Sequence, residues 1–323
     1  MKIHGGRIKK GTILSLSDIE AIAKTRAKTV VVAQPSADDV DENDAALRIA
    51  QALQAKMRFT NIELGAATTG RVNLYAACNG LLGIDRAVID AANHIDPSIT
   101  IATLPPESMV GAGRMVATVK IIPFAVPSKA VDAVEFALRC AVEEPIVVHG
   151  KFPKRVALIQ TTLPSIKSNA LDKTRKNLET RLRESSSWLH DEIRIPHDER
   201  TLAETLQSVR VDDDAMDYNS YEQLIIIFGA SAITDIDDVI PAALRASGGT
   251  VETLGMPVDP GNLLMVGNLY GRDVIGAPGC ARSSSENGFD WVLRRMTHMT
   301  QTDYSEWVPK LGVGGLLMEI HDR

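Results

Sequence analysis

The chain has 323 residues, with 35 Lys and Arg against 41 Asp and Glu and a net charge of −6. That length suits about two domains at roughly 100–200 residues each, and a mildly acidic chain lacks the electrostatic footprint of a general nucleic-acid binder. Hydrophobic residues at 45% and charged residues at 24% exclude disordered and fibrous classes, while aromatics at 4% leave the core to Ala, Val, Ile and Leu and leave few rings to stack bases.

In chain order, residues 5–14 read as a turn and a strand pair. Ser17 is placed to cap a helix running to about residue 27. The β-branched run Thr29-Val30-Val31-Val32-Ala33 reads as a strand closed by Pro35. The acidic run from Asp38 to Asp44 suits the solvated start of a helix over 44–57, where carboxylates meet the helix dipole. A metal site is the alternative, and the helix that follows at once favours the first reading. A turn at 68–73 feeds an apolar segment. Then come a strand at 81–84, a helix at 85–94, strands at 99–104 and 115–124, and an amphipathic helix at 129–142. Lys120 reads as a snorkelling lysine on an edge strand. The pattern breaks at Glu143-Glu144-Pro145 and restarts after Phe152-Pro153, which puts a domain boundary near residue 150.

The second half alternates more cleanly. Strands are expected at 155–160, 192–195, 224–228, 251–254 and 273–277, helices at 171–183, 199–209, 237–246 and 283–299, and a last strand at 313–320. Continuous apolar strands alternating with helices predict an α/β fold with a mostly parallel, doubly wound sheet covered on both faces. The expected organisation is a smaller N-terminal accessory α+β domain over 1–150 and a ligand-binding α/β domain over 151–323.

Three cysteines, Cys78, Cys140 and Cys280, are far apart and form no CxxC pair, so neither a disulfide framework nor a zinc knuckle is expected. The opening MKIHGGRIKKG has no apolar run, and no stretch approaches the ~20 apolar residues of a membrane helix. The expectation is a cytoplasmic protein with no membrane and no nucleic-acid partner.

In open α/β sheets ligands sit outside the carboxyl ends of the strands. That rule selects four loops. Residues 161–173 (TTLPSIKSNALDK) offer hydroxyls, Asn169, Lys167 and Lys173. Residues 229–238 (GASAITDIDD) follow the most apolar strand. Gly229, Ala230 and Ser231 let the backbone approach a ligand, and free N–H groups at the helix start suit a phosphate. Thr234, Asp235, Asp237 and Asp238 complete that loop and also suit an N-cap and first turn. The third loop holds Pro260 and Gly261. The fourth, 276–283 (GAPGCARS), carries Gly276, Pro278, Gly279, Cys280, Arg282 and Ser283, so it brings a cation and a hydroxyl. Cys280 by itself reads as a small buried hydrophobe, since no histidine lies near it in sequence.

The runs FGASAITDIDDVIPAAL, MPVDPG and IGAPGCARS resemble the molybdopterin-binding domain of molybdenum-cofactor biosynthesis proteins, over about residues 153–300. Gly229, Ser231, Asp235 and Asp237 match that family's first loop. Pro260-Gly261 matches the second, and Gly276, Pro278, Gly279 and Ser283 match the third. His197-Asp198-Glu199 resembles its other acidic site. The first half resembles, more loosely, the front part of a two-part protein in which such a domain precedes a nucleotidyltransferase. The resemblance implies molybdopterin or molybdenum cofactor at these loops, with Asp198 and Asp237 in catalytic positions. It also implies a homo-oligomer, and the chemistry of such a ligand suits Mg²⁺ on those two carboxylates, Arg282 as a cation and Cys280 near the dithiolene.

The departures are specific. Asp259 and Asn262 stand where molybdenum-inserting members carry lysines, Ala230 replaces a glycine, Cys280 an asparagine and Arg282 a proline. No G-x-x-x-R-M-G nucleotidyltransferase loop occurs. The expected function is binding of molybdopterin during cofactor maturation and its presentation to a partner nucleotidyltransferase or molybdoenzyme. The alternatives are a molybdopterin adenylyl- or molybdenum-transferase, and a scaffold that has lost the cofactor.

Overall fold

The computed structural model describes residues 2–3, 6–9, 11–26, 29–54, 61–142, 144–209, 223–299 and 302–317. Its contacts divide the chain into two units, Met1–Gly150 and Lys151–Arg323.

The first unit opens with a short hairpin, β1 (Lys2–Ile3) and β2 (Gly6–Arg7), followed by helix α1 (Leu16–Ala23). Ser15 caps this helix, two residues before the expected cap. Ser15 Oγ accepts from the Asp18 N–H, and the Ser15 N–H donates to the Asp18 carboxylate, so each satisfies an orphan donor of the other. The expected strand at 29–33 has no secondary structure, and Val31 is 99% exposed. β-branched residues make a strand only where a neighbour completes the ladder, and among the described residues none pairs with this run.

The unit continues through β3 (Asp39–Asp41), α2 (Glu42–Gln54), β4 (Ile62–Leu64), β5 (Arg71–Ala76) and β6 (Gly80–Ile84). After these come α3 (Arg86–Ile95), β7 (Ile99–Thr103), β8 (Met109–Val110) and β9 (Met115–Ile121). It closes with β10 (Ala125–Pro127), α4 (Ser128–Cys140) and β11 (Ile146–Gly150). The main sheet, β4-β5-β9-β7, is antiparallel throughout. Buried alanines and Ile49 and Leu53 of α2 share one core with Val72 and Leu74 of β5 and Val119 and Ile121 of β9. Lys120 therefore lies on an inner strand and not on an edge. Its ammonium donates to the Thr69 carbonyl and faces Glu42 at 3.8 Å.

The second unit runs β12 (Arg155–Thr162), α5 (Ser168–Glu184), β13 (Trp188–Pro196), α6 (Glu199–Ser208), β14 (Gln223–Phe228) and α7 (Val239–Ala246). It goes on through β15 (Thr250–Leu254), β16 (Met265–Leu269), β17 (Arg272–Ala277), a 3-10 turn at Gly279–Arg282, α8 (Gly288–Met296), α9 (Tyr304–Trp307) and a second 3-10 turn at Val308–Gly312. The sheet order is β13-β12-β14-β17-β16-β15. The first four strands are mutually parallel, and β16 runs antiparallel to both its neighbours.

The expectation of a mostly parallel, doubly wound sheet is met in part: in the second unit three of the five strand pairs are parallel. This sheet is mixed, and the sheets of the first unit are antiparallel. The missed element is β16. A two-residue turn, Tyr270-Gly271, with φ of +51° and +85°, joins it to β17. That is the geometry of a type I′ hairpin, written here with Tyr where Asn is usual. The residues of LIIIF alternate between faces. Leu224, Ile226 and Phe228 pack with Leu178 and Leu182 of α5 and Phe289 of α8. Ile225 and Ile227 pack with Leu202 and Leu206 of α6 and Leu244 of α7.

The expected helix over 283–299 begins later, at Gly288, because Asn287 and Asp290 form a capping box there. Of the expected last strand at 313–320, Leu316 makes an isolated bridge to Asp259, and 318–320 lie outside the described residues. No helix among the described residues is long and apolar enough to cross a membrane.

At the end of α8, His298 is 5% exposed. Its Nδ1 lies 2.8 Å from the Arg294 carbonyl and so carries the proton, which leaves Nε2 buried without a partner among the described residues. Burial pushes its pKa below 6.5. A depressed histidine pKa means that the unfolded chain binds the extra proton first, so stability falls as pH drops below the unfolded value. Thermal unfolding from pH 8 down to pH 5 should show a midpoint that declines below about pH 6.5. The His298→Gln variant, with no proton to gain there, should show a shallower decline.

Candidate functional site

Parallel register decides which loops meet. Gln160 of β12 lies beside Phe228 of β14, Phe228 beside Ala277 of β17, and Thr162 beside Pro196 of β13. Their carboxyl ends therefore share one sheet edge. Leu254 of β15 pairs with Met265, and Met265 with Gly276, so the loop carrying Pro260 and Gly261 leaves from the same edge. The expected loops are brought to one place by strand direction.

At the β12–β14 corner, Thr161 is fully buried. Its Oγ1 accepts from the Ala230 N–H at 2.9 Å and lies 2.8 Å from His197 Nδ1. His197 Nε2 lies 2.8 Å from the exposed Ser231 Oγ. Burial holds the His197 pKa below its usual value, against a smaller opposing pull from Asp238. Gly229 begins this loop, where a Cβ would stand 2.8 Å from the Ser231 carbonyl oxygen. Gly229 is thus needed for the turn itself.

The acidic residues of the same loop are committed to it. Asp238 Oδ2 accepts from the Thr234 N–H at 2.6 Å and the Asp235 N–H at 2.9 Å, which holds its carboxyl below the usual range. Asp235 accepts from the Asp237 N–H at 2.8 Å. Asp237 pairs with Arg245 at 2.6 Å. Asp198 caps α6 through the Thr201 N–H and hydroxyl, at 2.8 and 2.7 Å. The expected Mg²⁺ site on Asp198 and Asp237 finds no support in this geometry, since each carboxylate has its own partner. Among the described residues no group of three or more His, Cys, Asp or Glu is placed to hold a metal ion. In the acidic run at 38–44, Asp39–Asp41 form β3, and Glu42 and Asp44 stand in the first turn of α2.

At the β14–β17 corner sits Arg282. Its Nη1 donates to Gln160 Oε1 at 3.1 Å and to Thr174 Oγ1 at 2.9 Å, and its Nη2 donates to the Gly229 carbonyl at 3.0 Å. The guanidinium lies 5.1 Å over the Phe228 ring. It is half-buried, every hydrogen-bond acceptor it has is neutral, and burial lowers its pKa. A guanidinium stays charged even so. Nε–H and the second Nη2–H have no protein acceptor among the described residues.

Arg181 of α5 fixes this loop from behind. It donates to the Ala281 carbonyl at 2.9 Å and the Ser283 carbonyl at 2.7 Å, and forms an ion pair with Asp290 at 2.6 Å. Asn177 donates to the Arg282 carbonyl at 2.7 Å. Pro278 opens the 3-10 turn, and Ser283 is exposed beyond it. Burial raises the Cys280 pKa, against a smaller opposing pull from backbone N–H groups, which favours the thiol over the more nucleophilic thiolate. The Pro260 carbonyl accepts from the Gly288 N–H, and a Cβ on Gly261 would stand 2.5 Å from that nitrogen. This loop is packed onto the start of α8. The exposed Lys167, Asn169 and Lys173 lie on the surface of the first loop and α5.

Two glycines of the fourth loop differ in kind. A Cβ on Gly276 would stand 2.7 Å from Ile233 Cδ1 and 3.1 Å from Met265 Cβ, whereas one on Gly279 meets nothing within 4 Å. Gly276→Ala should therefore lose about 1–3 kcal/mol by overpacking. Gly279→Ala should stay within about 0.5 kcal/mol of the parent. Urea unfolding of both variants checks the contrast.

Sequence reasoning passed over Gln160, Thr174 and Arg181 as structural supports, and took His197 only as part of a motif with Asp198 and Glu199. Only one signal pointed to them. Gln160 interrupts an apolar strand, and a buried polar residue is more informative than an apolar one.

Fold and site together define a two-unit α/β protein with a donor-lined edge in its second unit. No family model matches the chain, and no curated protein matches it. Among solved structures, the chain is similar to the molybdopterin biosynthesis MoeA protein from Pyrococcus horikosii. That similarity is 15% identity over 74% of this chain and 74% of that chain, with a TM-score of 0.26. A superposition of that quality fixes neither a fold family nor a ligand.

Proposed function

We propose that the second unit binds molybdopterin, or its molybdenum-loaded form, at the carboxyl edge of β12, β14 and β17, and presents it to a partner nucleotidyltransferase or molybdoenzyme. The carrying observation is Arg282, a half-buried cation with only neutral hydrogen-bond acceptors and N–H groups to spare. Burying charge without a counter-charge is unfavourable, and a bound anion relieves it with charge-assisted hydrogen bonds. The terminal phosphate of molybdopterin is such an anion. The resemblance of the 229–238 and 276–283 loops to molybdopterin-binding loops supports the same ligand.

A Cβ on Gly279 would meet nothing within 4 Å, so this loop is open at that point, and the exposed hydroxyl of Ser231 adds a polar group at the same edge. With few aromatics in the chain, the pterin is held by backbone and polar edges and not between rings. Binding and presentation are favoured over group transfer because Asp198, Asp237 and Asp238 are each engaged by a cap, an ion pair or the loop backbone. The test is an anaerobic titration followed by pterin fluorescence. Saturable one-to-one binding in the micromolar range is expected, and no binding there ends this reading.

A further inference from the structure

We infer that Thr161 and His197 are positioning residues that turn Ser231 into an outward hydrogen-bond donor, for an acceptor oxygen of an anionic ligand. The inference rests on the proposed ligand edge and adds to it the direction of one proton.

The direction follows from counting hydrogens. The Thr161 hydroxyl has one hydrogen to donate and has two partners, the Ala230 N–H at 2.9 Å and His197 Nδ1 at 2.8 Å. Ala230 N–H can only donate, so Thr161 Oγ1 accepts there. The side chain is fully buried, and a hydroxyl hydrogen without an acceptor in such a place is costly. Its hydrogen must therefore go to His197 Nδ1. A neutral imidazole that accepts at Nδ1 carries its proton on Nε2. Nε2–H then donates to Ser231 Oγ across 2.8 Å. The imidazole satisfies one acceptor site of the hydroxyl, and the Ser231 hydrogen is left to point outward from an exposed residue.

The reverse arrangement would make a different site. A serine nucleophile gives its proton to the histidine, which needs an unprotonated Nε2. Here Thr161 forbids that tautomer, because the proton would then sit on Nδ1 and face a hydroxyl whose own hydrogen had lost its acceptor. The corner accordingly offers donors from Ser231, which suits a phosphate-type or carboxylate oxygen and not an electrophile awaiting attack.

The experiment is ¹⁵N NMR of histidine-labelled full-length protein at neutral pH, without ligand and then with inorganic phosphate. The expected spectrum gives His197 a pyrrole-type Nε2 and a pyridine-type Nδ1. Thr161→Ser should keep that pattern and Thr161→Val should lose it, which a merely space-filling threonine would not do. Phosphate should shift the Nε2 signal in the parent and leave it in place in Ser231→Ala. A fluorophosphonate probe should leave Ser231 unlabelled. A proton on Nδ1, an unmoved Nε2 with phosphate, or labelled Ser231 would each overturn the inference. The tautomer is read without molybdopterin, so failure of molybdopterin to bind is a separate result.

Discussion

Asp290→Ala is expected to remove about 3–5 kcal/mol of folding free energy. The Arg181–Asp290 pair is nearly buried, with side-chain exposures of 10% and 11%, and removing the carboxylate strands the guanidinium against Phe289 at 5.6 Å. The same carboxylate accepts from the Asn287 N–H at 2.9 Å, so the capping box of α8 is lost with it. An exposed ion pair contributes only ~0–1 kcal/mol, so the size of the loss separates the two cases. Urea unfolding gives the number, and a loss below about 1 kcal/mol would mean that the pair behaves as a surface contact. Replacing both partners by apolar residues, Arg181→Met with Asp290→Leu, should recover most of the loss, because no charge is then left unpaired. In the single variant, Arg181 no longer holds the 279–285 loop firmly, and ligand affinity should fall alongside stability.

Arg282→Met should weaken ligand binding about 10- to 100-fold, the equivalent of ~1.5–3 kcal/mol for a hydrogen bond to a charged group. It removes a half-buried cation of this edge that has no carboxylate partner among the described residues. Stability should fall as well, because fully buried Gln160 loses the donor to its Oε1. That orphan costs about 1–3 kcal/mol. Arg282→Lys separates charge from shape. It keeps the cation, but an ammonium on a flexible stem cannot reproduce a planar fork reaching Gln160, Thr174 and Gly229 together. Its affinity should lie between the other two. Wild-type affinity in Arg282→Met would remove the anion from the proposed function.

What could be read from the sequence follows from local chemistry. The continuous run LIIIF is legible as a strand buried on both faces, and the helix expected at 85–94 stands as α3, with Asp85 outside it as the cap through the Val88 N–H. The small-residue loops are legible as places where the backbone turns closely. The strand expected at 29–33 and the missed β16 fail for opposite reasons. The first has β-propensity and no neighbour, while the second has a modest sequence, MVGNL, and a neighbour on each side. Strand identity depends on pairing, which a local window does not contain.

The site divides in the same way. Composition argued against a base-stacking surface, and spacing pointed to the loops that leave the sheet. Sequence could not tell that Asp198 is engaged by a helix cap and Asp238 by its own loop backbone, while Arg282 has no carboxylate partner among the described residues, since all are polar residues at loop–helix junctions. Length and charge by themselves determined a chain of about two units with an acidic balance and an aliphatic core. Tertiary structure alone decided which polar groups are already satisfied. Hydrogen bonds such as Thr161 to Ala230 and Arg282 to Gly229 join residues 69 and 53 positions apart, and only the parallel register of the strands brings them within reach.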